Sequence, residues 1–177
     1  MKTTQQWWDE VSSDEAKFID WLKDQYHGER TAAERIRKIR DDNGSSIFGW
    51  PYNLLSNIIK DEIKHTFWVE NLLLARGVTP EILQKEERYW NQCLPPAEGK
   101  SFEYWCAVGH LAETMRLDRI KLLASDSRFT DVKEVFERIL PEEEFHAKIF
   151  GMLSTPEDIA EARVHHNDGM NAIGLLP

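Results

Sequence analysis

Cysteine is nearly missing from this chain. Its two copies, Cys93 and Cys106, form no CxxC pair, which excludes a disulfide framework, a zinc ribbon and a rubredoxin-like appendage. Excess positive charge is missing as well. The chain has 22 Lys and Arg against 31 Asp and Glu, a formal charge of −9, whereas general nucleic-acid binding needs a basic footprint. No apolar run reaches the length of a membrane span and no charged-then-apolar leader opens the sequence. The expectation is a cytoplasmic protein with no nucleic-acid or membrane partner. No segment combines period-two alternation with β-branched residues, which argues against strands. Internal repeats and low-complexity segments are also lacking, so a solenoid is excluded.

What is present is a chain of 177 residues, 41% hydrophobic and 30% charged. That length suits one domain, 1–177, with a substantial core. Its acidity fits a protein that collects cations, but equally an ordinary acidic globule.

The periodicity is helical almost throughout. Ser12-Ser13-Asp14-Glu15 resembles a capping box and predicts a long first helix over 13–41, ended by Asn43-Gly44. Pro51 suits the start of a second helix reaching Arg76, with Gly77 as its stop. Thr79-Pro80-Glu81 predicts a short helix closed by the turn-rich stretch 94–101. Ser101 can cap a third long helix to Ala124, and Thr130 a fourth to Leu153. Thr155-Pro156 opens a terminal helix over 156–171, expected to fray near its glycines. Short links join the first long helix to the second and the third to the fourth, while a long connection, 77–100, separates the pairs. An all-α, ferritin-like four-helix bundle over 13–153, with a crossover between helices two and three, has these connections.

Each long helix carries a glutamate in its apolar stripe. Steps of three and four along the first run Phe18, Leu22, Tyr26, Glu29, Ala33, Ile36; the second runs Leu55, Ile58, Glu62, His65, Val69, Leu72. The third runs Phe102, Cys106, Gly109, Glu113, Ile120, and the fourth Val132, Phe136, Ile139, Glu143, His146, Phe150, Leu153. Glu34 falls on the opposite side of its helix, among Arg30, Arg37 and Lys38. Any of Glu142, Glu143 and Glu144 could face inward, but only Glu143 stands three places before His146.

Buried carboxylates are costly unless paired or bound to metal, and two divalent cations would balance four of them. The candidate metal ligands, and hence catalytic residues, are Glu29, Glu62, His65, Glu113, Glu143 and His146. Oxygen and imidazole donors suit two Fe ions, with Mn or a mixed Fe/Mn pair as alternatives and Zn possible. The repeated Glu-x-x-His gives the set an approximate two-fold symmetry.

Glu29, Glu62-x-x-His65, Glu113 and Glu143-x-x-His146 together resemble the ligand pattern of the ferritin-like di-iron carboxylate superfamily. That group includes bacterioferritins, rubrerythrins, small hydroxylases and aldehyde-deformylating oxygenases. The resemblance spans 25–153, rests on ligand spacing, and assigns no subfamily.

Other residues near these positions admit two readings each. Tyr26 and Trp68 could meet substrate or carry an electron, although aromatic rings more often pack a core. Pro141 either kinks the fourth helix or starts a new one; the unbroken apolar phase favours one kinked helix. Gly109 and Ala33 could leave room for oxygen or only allow helices to approach. His110 reads as a support at the stripe margin, His27 as a surface residue, and His165-His166 as a solvated pair. Arg116, one turn after Glu113, could bond a ligand carboxylate or form an edge salt bridge.

The leading functional expectation is an oxidoreductase that activates O2 or peroxide to oxidise an unknown small substrate. Its electrons would come from a separate reductase or the substrate itself. One alternative is a ferroxidase or iron-storage subunit of an oligomeric cage, so a homo-oligomer is among the expectations. A further alternative is a metal-free helical interaction protein.

Overall fold

A computed structural model describes residues 1–94, 99–126 and 128–175. Among them the chain forms seven helices: α1 (Thr4–Ser12), α2 (Glu15–Asp42), α3 (Trp50–Leu74), α4 (Arg88–Cys93), α5 (Phe102–Ser125), α6 (Thr130–Met152) and α7 (Pro156–Ala172). No strand occurs among the described residues; an isolated bridge pairs Lys2 with Leu175. Among the described residues, no helix is long and apolar enough to cross a membrane. The chain divides into two compact units, one of 1–8, 85–122 and 140–177, the other of 9–84 and 123–139.

In the second unit, α2 packs on α3, as the seven-residue link between Asp42 and Trp50 leads one to expect of antiparallel neighbours. The start of α2 differs from the capping-box reading. Ser12 ends α1, and Asp14 is the cap, its carboxylate accepting from the backbone N–H groups of Ala16 and Lys17 at 2.9 and 3.1 Å. Gly77 lies just past α3 at φ 70°, a left-handed conformation that favours glycine and lets Val78 N–H reach the Leu73 carbonyl at 3.0 Å. Phe18 of α2 stacks on Phe129 with centroids 4.2 Å apart, and Trp21 meets Phe136 at 5.9 Å. Arg76 lies over Phe18 at 5.2 Å and pairs with Asp131 at 2.8 Å, tying the end of α3 to both.

In the first unit, α5 is buried on more than one side. Ala112 belongs to a core with Tyr89, Cys93, Met170 and Leu175. Tyr104, Ala107, Val108 and Leu111 form another with Ala162. Such a helix is apolar over a wide arc, not one stripe. The helix expected from Thr79 does not form: 78–87 are non-helical, and the short helix of the connection is α4. Six residues do not make a stable helix alone; α4 is held because Tyr89 and Cys93 bury against α7. Half of the expected turn at 94–101, residues 95–98, lies outside the described residues. The expected fraying of the terminal helix is also overturned, since α7 runs to Ala172 with Gly169 and Met170 buried. Pro141 sits inside α6, a single helix and not two.

Candidate metal centre

In the second unit, α2 and α3 deliver Glu29, Glu62 and His65, all 0% exposed. One ligand atom from each lies within 4.8 Å of the others. Spacing does this work: Glu62 and His65 are one turn apart on the buried face of α3, between Ile58 and Val69. Gln25, one turn before Glu29, donates from Nε2 to Glu29 Oε1 and fixes that carboxylate. His65 Nδ1 stands 3.7 Å from Glu29 Oε2. That is too long for a hydrogen bond. It is within reach of a shared ion, since two donors each about 2.1 Å from a metal can lie up to ~4.2 Å apart.

The first unit repeats the arrangement with α5 and α6. Glu143 and His146 are 0% exposed and Glu113 5%. His146 Nδ1 stands 3.7 Å from Glu143 Oε2, a contact within α6, where the His65–Glu29 contact of the same length runs from α3 to α2. Of the three consecutive glutamates, only Glu143 is buried; Glu144 is exposed, 3.9 Å from Lys121. Arg116 reaches both carboxylates: Nη1 donates to Glu113 Oε2 at 3.3 Å and Nη2 lies 3.4 Å from Glu143 Oε1. The next turn carries Arg119, whose guanidinium burial and the neighbouring Arg116 push down to about 10, so it remains charged at neutral pH.

Each predicted ligand is therefore buried, three in either unit. The donor set fits a divalent first-row metal: buried carboxylate oxygens and imidazole nitrogens, with no thiolate among these ligands. Carboxylate burial of this completeness is what a resident cation offsets.

Several neighbouring residues differ from their sequence readings. His27 is buried, at 6% exposure, not at the surface. Its carbonyl accepts from the Thr31 hydroxyl at 2.8 Å. Tyr26 is half-buried and leaves the core stripe. Trp68 lies 5.7 Å from the His65 ring, with Lys64 over its face at 5.4 Å. His110 is a support: its Nδ1 lies 2.8 Å from the Ala147 carbonyl, locking α5 to α6 beside His146. Gly109 serves close packing, since a Cβ there would lie 3.1 Å from the Phe150 ring.

The His165-His166 pair is not solvated as expected. Both are half-buried, and His166 Nδ1 lies 2.8 Å from the Tyr89 hydroxyl. Burial drives the Tyr89 phenol far above its ordinary value, with Cys93 and Glu113 adding to it. Burial, and then Arg163, hold His166 below the usual histidine value. Burial also pushes Cys93 up to about 11, only partly countered by its Tyr89 hydrogen bond. No sequence signal pointed to Tyr89, which lies in a connection without clear periodicity.

No family model matches the chain, and no curated protein does. Among solved structures it is similar to "Protein 43 with aldehyde deformylating oxygenase activity from Synechococcus", with a TM-score of 0.78 and 22% identity over 93% of this chain and 85% of that one. The likeness shows the fold, an all-α ferritin-like helical bundle.

Proposed function

We propose that this chain is a dinuclear non-haem metal oxidoreductase of the oxygenase type. Glu29, Glu62 and His65 would join Glu113, Glu143 and His146 to hold two ions, iron or an iron/manganese pair. The observation that carries the reading is the burial of all six ionisable residues in two like sets, each of two glutamates and one histidine. The fold of a protein with aldehyde deformylating oxygenase activity supports it.

When bound, the metal pair supplies the means to reduce O2 or peroxide and oxidise an organic substrate. The chain's own residues fix the ligands. Gln25 orients the Glu29 carboxylate, and His110 anchors α6 next to His146. Burial keeps water from these carboxylates, which strengthens their hold on a cation. Aldehydes are the first substrate class to test, with a separate reductase as electron source. Iron-loaded protein given an aliphatic aldehyde, O2 and a chemical reductant should release hydrocarbon and formate. Glu62→Gln should abolish turnover. Iron-loaded protein that consumes neither aldehyde nor O2 beyond the metal-free control would refute the proposal.

A further inference from the structure

We propose that Arg116 is a displaceable internal counter-cation, which holds Glu113 and Glu143 in the metal-free protein and competes with a divalent ion for them. The inference rests on the metal-site reading above and concerns a residue outside the ligand set.

Its basis is the shape and length of the contacts. Arg116 follows Glu113 by one turn of α5, so its planar fork lies beside that carboxylate and reaches across to α6. One guanidinium nitrogen serves Glu113 Oε2 at 3.3 Å and the other Glu143 Oε1 at 3.4 Å. The second oxygen of Glu143 faces His146 Nδ1 at 3.7 Å. Glu143 is thereby divided between the Arg116 guanidinium and a candidate metal-binding ring. The Arg116 side chain is 18% exposed, against 7% and 0% for its partners. A path therefore remains for it to withdraw toward solvent.

Both contacts are longer than the ~2.7–2.9 Å of strong charge-assisted bonds. The more exposed Arg76–Asp131 pair, by contrast, closes to 2.8 Å. A pair that served only to clamp two helices at a buried position would gain by closing equally. Long, shared contacts to two carboxylates suit a cation that stabilises them without saturating them. A divalent ion then meets ligands already placed, but must overcome one like charge.

Arg116→Gln removes the charge and keeps hydrogen-bonding capacity; Arg116→Lys keeps the charge without the fork. The test uses full-length protein stripped of metal and titrated anaerobically with Mn(II), reading affinity by calorimetry and melting temperature with and without Mn(II). For Arg116→Gln, metal-free protein should melt lower by about 4 °C, while Mn(II) should bind on the order of tenfold tighter. Arg116→Lys should stay near wild-type affinity. Weaker Mn(II) binding by Arg116→Gln would instead make Arg116 an orienting group, and overturn the proposal. Equal melting losses with and without Mn(II), at unchanged affinity, would reduce it to a structural salt bridge and also overturn it. Wild-type protein that takes up no Mn(II) or Fe(II) would remove the metal-site reading itself, an outcome distinct from both.

Discussion

Gly169 makes the packing of α4 on α7 testable by a single methyl group. A Cβ at this position would lie 2.5 Å from Cys93 Sγ and 2.8 Å from the Tyr89 ring, about 1 Å short of ordinary contact. Neither neighbour yields easily. The Cys93 thiol turns about one bond, and the Tyr89 ring is held at its hydroxyl by His166. In Gly169→Ala, overpacking of this kind costs ~1–3 kcal/mol, while the better helix former returns ~0.8–1.0 kcal/mol. An approach this short puts the cost in the upper half of that range, so the expected net loss is about 1–2 kcal/mol, or roughly 2–8 °C in melting temperature for a chain of this size. Chemical denaturation gives the free energy, and Gly28→Ala is the control. Gly28 lies inside α2 with nothing within 4 Å of its Cβ position, so alanine should stabilise by up to ~1 kcal/mol. Combining Gly169→Ala with Cys93→Ala removes the shortest contact and should recover about half of the loss, as a favourable coupling in a double-mutant cycle. Gly169→Ala as stable as wild type, or uncoupled from Cys93, would refute this close packing.

Other consequences follow from particular contacts. Thr155 caps α7, its hydroxyl accepting from Asp158 N–H at 3.1 Å and donating to Asp158 Oδ2 at 2.6 Å; Thr155→Ala should cost about 1 kcal/mol in urea denaturation, and Thr155→Ser very little. His166 has a folded value below its unfolded one, so the unfolded chain takes the proton first as pH falls. Stability should therefore be fully present above the unfolded value near 6.5 and decline below it, down through the folded value. Melting curves between pH 8 and 5 should show this slope, and it should flatten in His166→Gln. Gly109→Ala presses a methyl against the Phe150 ring at 3.1 Å and should lower the melting temperature by a few degrees; an unchanged value would mean the ring shifts freely.

The four long helices were readable because their apolar residues recur at helical spacing with few interruptions. Leu55, Ile58, Val69 and Leu72 are all buried, as the stripe through Glu62 and His65 requires. The three-residue spacing to His146 singled out Glu143 from its two neighbours, and Glu143 alone of the three is buried. Errors arose where local signals outran packing. Thr79-Pro80-Glu81 carries good start chemistry, yet 78–87 remain non-helical, while α4 forms farther on where Tyr89 and Cys93 can bury. The N-terminal helix, TQQWWDEVS, was missed because Ser12 and Ser13 looked like the beginning of the next helix. His27 is buried because α2 buries an arc wider than one stripe: Trp21 and His27 lie beside Phe18, Leu22 and Glu29. Helical spacing places Arg116 beside Glu113, but its reach to Glu143 is a tertiary contact that spacing along one helix does not contain.

The central claim is that Glu29, Glu62, His65, Glu113, Glu143 and His146 hold two metal ions. The most direct measurement is metal content per chain after anaerobic Fe(II) titration and removal of unbound ion, on wild type and on a variant carrying Glu62→Ala and His65→Ala. Wild type should saturate near two ions per chain and gain melting temperature on loading. The double variant should lose at least one ion and most of that gain. Absence of saturable uptake by folded wild-type protein, or equal uptake by the variant, would contradict the claim.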